Sequence, residues 1–75
     1  MKIYTIQDRT NTFRLRDYDD GKGCLLANGA VYALKFESRV MAAQWMTGHM
    51  PDEVANNWFI VSEEYELGEG DEENR

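Results

Sequence analysis

One cysteine, one histidine and one proline occur in 75 residues, and each scarcity removes a class of chemistry. Cys24 has no second thiol to pair with, and neither it nor His49 has a companion at zinc-ligand spacing. No disulfide framework and no zinc knuckle is expected, and the composition fits a reducing, cytoplasmic setting. Long apolar runs are also missing. No stretch approaches the ~20 apolar residues of a membrane span, and the opening residues Met1 to Arg9 lack the apolar core of a signal peptide. The chain contains no Gly-x-Gly-x-x-Gly, no phosphate loop with its lysine and no Gly-x-Ser-x-Gly. No enzyme, cofactor or metal site is therefore expected, and no catalytic residue is nominated.

Positive charge is scarce in one half only. Residues 1–39 hold seven bases and five acids (+2), whereas residues 40–75 hold nine acids and Arg75 alone (−8), which together give the net −6. From Glu63 to Glu73, seven of eleven residues are carboxylates, with no base among them. Such a density repels phosphate backbones and anionic membranes and accelerates encounter with basic protein surfaces. Direct nucleic-acid binding and membrane binding are disfavoured, and a basic protein surface becomes the expected partner, a nucleic-acid-binding protein being the natural owner of one.

Candidate chemistry elsewhere has simpler readings. The loop Asp17-Tyr18-Asp19-Asp20-Gly21-Lys22-Gly23 is rich in calcium-type ligands, but counting from Asp17 puts Lys22 where an EF-hand needs glycine and Asn28 where it needs a bidentate glutamate. It reads as a turn between strands. Cys24, in Cys-Leu-Leu-Ala, has the setting of an inert strand residue, and His49, just past Gly48, that of a cation near a helix end. Arg14 and Arg16, with Arg9, Lys22, Tyr4 and Tyr18 nearby, would suit a small base-stacking sheet. A solvated strand face, with pairing to Asp8 or Asp17, is the preferred reading.

With only 75 residues there is room for one small domain, read as residues 1–67, followed by an acidic, flexible tail over 68–75. Lys2–Gln7 and Thr12–Asp17 alternate as strands of a first hairpin, with Tyr4 and Ile6, then Phe13 and Leu15, facing inward. Cys24–Ala27 and Ala30–Phe36 flank Asn28-Gly29, a dipeptide suited to a type I′ turn, and predict a second hairpin. Ser38 is a natural N-cap for a helix carrying Met41, Ala42, Trp45 and Met46 on its core stripe and stopping at Gly48, which leaves Met50 exposed. Pro51-Asp52-Glu53 opens a short second helical turn. Trp58-Phe59-Ile60-Val61 has no alternation, as in a strand buried on both faces, and could run parallel to the strand ending at Phe36 and continue to Tyr65 or Leu67. The fold class is thus α+β: a small antiparallel or mixed sheet of about five strands (β-β-β-β-α-β), with one main helix packed on one face and an acidic C-terminal tail. Because one helix covers one face, the other should be shielded by a loop, the tail, a second copy or a partner.

The nominated partner-binding residues are Glu63, Glu64 and Glu66, held on or just after a strand, then Glu69, Asp71, Glu72 and Glu73, with Asp52 and Glu53 at the short helix. The expected function is that of a small non-enzymatic acidic protein-binding module, in its sharpest form a DNA mimic whose carboxylates stand in for phosphates. In size, acidity and lack of motifs the chain resembles the small orphan proteins of phages and mobile elements, among which are inhibitors of host restriction and CRISPR machinery. That resemblance implies an inhibitor blocking a basic nucleic-acid-binding surface of a host defence protein. The alternative is a homodimeric structural or accessory protein that binds through its sheet face, its acidic tail serving only solubility.

Overall fold

The computed structural model describes residues 1–65. Its elements are β1 (Lys2–Asp8), β2 (Arg14–Asp19), β3 (Gly23–Ala27), a 3₁₀ turn (Ala30–Tyr32), α1 (Arg39–His49), α2 (Asp52–Ala55) and β4 (Trp58–Glu64). The four strands form one antiparallel sheet in the order β3-β2-β1-β4, so the fold is small α+β with four strands rather than five. No helix among the described residues is long and apolar enough to cross a membrane.

The first hairpin forms where alternation predicts it, with its return strand shifted two residues later. Asp8 organises the connection: its carboxylate accepts from the amides of Thr12 and Phe13 and from the Thr10 hydroxyl. Desolvation pushes the Asp8 pKa up, but these donors together outweigh it and hold the group below its ordinary value. Asn11 takes the left-handed conformation (φ 58°), which a short polar side chain tolerates. Phe13 falls outside β2 and is partly exposed, whereas Leu15 is fully buried. A bulge at Arg16 shifts the register between Leu15 and Asp17, so Leu15 and Tyr18, three apart, both reach the core.

The second hairpin predicted around Asn28-Gly29 does not form. β3 pairs instead with β2 across the Asp20–Lys22 turn, where Asp19 accepts from the amides of Gly21 and Lys22 and Gly23 takes φ 84°. The expected turn in the Asp17–Gly23 loop forms only over residues 20–22, the flanking residues belonging to the strands, and it claims β3 as partner to β2. Gly29 is extended (φ −140°, ψ 174°), and the chain beyond it makes a 3₁₀ turn. Asn-Gly permits a positive φ at low cost but does not compel it. What remains of the fifth strand is one antiparallel bridge: Tyr4 and Phe36 exchange both backbone hydrogen bonds at 2.9 Å. The Leu34 amide reaches the Leu15 carbonyl at 3.1 Å, so this segment wedges between β1 and β2, whose own register is confined to Gln7 opposite Arg14.

α1 starts as its sequence indicates, the Ser38 hydroxyl accepting from the Met41 amide. It continues through Gly48 to His49 and is capped by Met50. Met50 is not exposed; at 4% accessibility it joins Ile6, Leu15 and Met46 in the core. Its backbone turns inward because its φ of −117° ends the helix without a glycine bend. Met41, placed on the core stripe by spacing, is half exposed. α2 forms behind Pro51 and contributes Val54 and Ala55 to the same core.

β4 runs antiparallel to β1, from Lys2 opposite Glu64 to Asp8 opposite Trp58, instead of parallel to the segment ending at Phe36. Once Phe36 is reduced to a bridge, the free edge of β1 is the longest strand available, and all seven residues of β4 pair with it. Nor is β4 buried on both faces. Trp58 and Ile60 pack against the helices, while Phe59 is 44% exposed on the opposite face.

Candidate interaction surface

Alternation divides β1 and β4 into two sets. Tyr4, Ile6, Ile60 and Trp58 lie on the helix side, and Ile3, Thr5, Gln7, Phe59, Val61 and Glu63 lie on the other. Ile3, Thr5 and Gln7 are buried on this second side too, and Thr5 is wholly inaccessible. The cover comes largely from the chain's own charged side chains. Arg14, opposite Gln7, donates to both Glu63 oxygens at 2.8 and 2.7 Å, and Gln7 donates to Glu63 at 2.9 Å. The Thr5 hydroxyl donates to the same carboxylate, and Gln7 also reaches Thr5 at 3.2 Å. Nearby, Lys35 stands 5.1 Å from the ring of buried Tyr65.

Glu63 is therefore a structural carboxylate. Its side chain is 15% accessible. The Arg14 guanidinium foremost, with Thr5 and Gln7, overcomes the upward push of desolvation and lowers its pKa to about 2. Reciprocally, bonding to Glu63 raises the Arg14 pKa against desolvation. A carboxylate whose lone pairs are spent on four donors has little left for a partner. Glu64, one residue on, points to the other side with 79% exposure and, among the described residues, meets the chain's own amino group at 3.2 Å. Asp52 and Glu53 are exposed in the first turn of α2, where the helix dipole favours acids. Glu66, Glu69, Asp71, Glu72 and Glu73, and with them the 68–75 tail, lie outside the described residues. The structure thus separates Glu63 from Glu64, which sequence reading had grouped together.

The base-stacking arrangement loses its parts. Arg14 is committed to Glu63, Tyr18 packs in the core, and Tyr4 lies under Arg39 with 5.4 Å from guanidinium to ring centroid. The pairing of Arg14 with Asp8 or Asp17, expected from hairpin neighbours, is replaced by one with a residue 49 positions away. Among the remaining candidates, Cys24 is half-buried, and desolvation raises its thiol pKa against a hydrogen bond with Trp58. His49 stacks on Trp45 at 4.4 Å, with Nδ1 2.9 Å from the Trp45 carbonyl, a local helix-end contact. No three His, Cys, Asp or Glu side chains gather in metal-binding geometry among the described residues.

Sequence reading passed over two features. The outward face of α1, carrying Val40, Ala43, Gln44, Thr47 and Gly48, borders an open depression of about 400 Å³ and holds no charge; the uncharged run from Val40 to Gly48 was its signal. The outer edge of β4 is the second; an apolar run read as buried on both faces does not say which strand it pairs with or which edge it leaves open. Compared with protein-family models, curated proteins and solved structures, the chain gives no match.

Proposed function

We propose that the chain is a small, non-enzymatic protein-binding module whose acidic C-terminal third engages a basic surface, the best-suited owner being a nucleic-acid-binding protein. One observation carries this reading: most of the net charge falls in the last ten residues of the sequence. Residues 1–65 hold nine acids and seven bases (−2), whereas residues 66–75 hold five acids and one base (−4), the two making up the net −6. Glu64, exposed at the end of β4, stands where that acidic run begins.

The pairing of Glu63 removes one tooth from any phosphate-spaced comb along the strand. Recognition accordingly proceeds by charge density, which steers a basic partner and weakens with salt, rather than by a fixed lattice of carboxylates. Blocking a basic groove of a host defence protein is one use of such a module.

The test is competition. An immobilised basic nucleic-acid-binding domain, recovered by pull-down from a host lysate, is challenged with the full chain, with a truncation after Leu67 and with Glu64→Gln, each across a salt series with duplex DNA as competitor. Binding should fall and its salt slope flatten in both variants, and DNA should displace the chain. Equal capture of one partner by all three proteins at every salt concentration would overturn the proposal.

A further inference from the structure

β4 is an edge strand whose hydrogen-bonding groups face outward in a definite pattern. Tyr4 spends its backbone amide and carbonyl on Phe36, so its neighbour across the ladder, Ser62, belongs to a non-bonded pair and directs its own amide and carbonyl away from β1. By alternation Ile60 and Glu64 do the same. The guanidinium of Arg39 bears this out, donating to the Ile60 carbonyl at 3.0 Å from the outer side. The strand is also electrically polar. Arg39 at Ile60 and Arg9, 5.9 Å from the ring of Phe59, outweigh Asp8 in its first half. In its second, Glu64 stands exposed on the outer strand with Lys2 opposite it on β1, and the acidic run of the sequence follows.

We propose that a second copy of this chain pairs along this edge, β4 against β4 in antiparallel register, so that residues 58–60 of one copy lie beside residues 62–64 of the other. Charge complementarity selects this occupant. Antiparallel pairing about a twofold axis brings the basic half of each β4 against the acidic half of its mate. The contacts to be exchanged are cheap ones: Glu64 gives up a solvent-exposed pair with the amino terminus, and Arg39 gives up a single carbonyl. In return Ile60, Ser62 and Glu64 gain main-chain partners, and exposed Phe59 gains a neighbour. One strand pair buries less than the ~800 Å² per partner of a stable interface, so the dimer is weak and concentration-dependent. This inference does not rest on the basic partner proposed above.

Sedimentation equilibrium of the full chain at low ionic strength tests it, with hydrogen exchange read on the same samples. The wild type should pass from monomer to dimer between low and high micromolar concentration, with the amides of Ile60 and Ser62 slowing in step. Glu64→Lys, at a position exposed enough to spare the fold, should weaken association about tenfold, and adding Arg39→Glu should restore it. Ser62→Pro removes only an outward amide, which an edge strand tolerates, and should leave a folded monomer. A wild type that stays monomeric overturns the proposal, as does association unaffected by Glu64→Lys. So does a dimer lost in Val40→Glu, on the outward face of α1, while the β4 amides stay unprotected.

Discussion

A carboxylate that accepts from an arginine fork, a threonine hydroxyl and a glutamine amide has exchanged its water for protein donors, and Glu63 is such a group. Its folded pKa of about 2 lies below the ordinary 4.5, so the folded state favours the ionised form. The resulting stability is fully present above pH 4.5 and is lost as pH falls from 4.5 towards 2; in full it is worth at most about 3 kcal/mol. Glu63→Gln keeps the shape but leaves the Arg14 guanidinium, 23% accessible, without its counter-charge. A loss of about 2 kcal/mol at neutral pH is expected in urea unfolding, with a flattened acid limb in the pH–stability profile. An unchanged acid limb would assign the acid sensitivity to other carboxylates. The pair was illegible in the sequence because its partners are 49 residues apart, and a strand's polar side announces that it is polar without naming what it meets.

At the scale of elements, most local signals held, but the Asn28-Gly29 turn and the Gly48 stop failed, as did the readings that needed a distant partner. Alternation marked β1, a cap marked α1 and proline marked α2, since each signal acts through bonds within a few residues. Strand partners are chosen by the whole sheet: β3 joined β2 rather than residues 30–36, and β4 joined β1. Three glycine-to-alanine changes separate these readings by sign. Gly23→Ala forces a Cβ into φ 84° with nothing near it to clash, so its cost of about 1 kcal/mol is purely backbone. Gly29→Ala, in extended backbone with open space, should be neutral or slightly stabilising, whereas a type I′ turn there would make it costly. Gly48→Ala, inside α1 and unobstructed, should stabilise by up to about 1 kcal/mol, contrary to its role as a helix stop. Thermal unfolding of the three variants side by side would decide, and a destabilised Gly29→Ala would restore the second hairpin.

On the scale of the whole molecule, a four-stranded sheet with one helical layer places β1, among the described residues, between two strands and buried on both faces. The sequence disclosed the layer but not this centrality, because Thr5 and Gln7 look like residues for solvent until Glu63 and Arg14 close over them. For 75 residues a total stability of about 4 to 11 kcal/mol is ordinary, so one central side chain carries a large share of it. Ile6 is wholly inaccessible and meets Leu15, Met46 and Met50 in the core. Ile6→Ala deletes three carbons where sheet and helices converge and little can collapse inward, and should cost about 3 to 4 kcal/mol. The urea midpoint should fall by a third or more with the slope unchanged, while Met41→Ala on the half-exposed flank of α1 should move it by less than about a third as much. If the two substitutions cost the same, the core does not centre on β1, and the second face of the sheet carries more of the fold than its polar cover suggests.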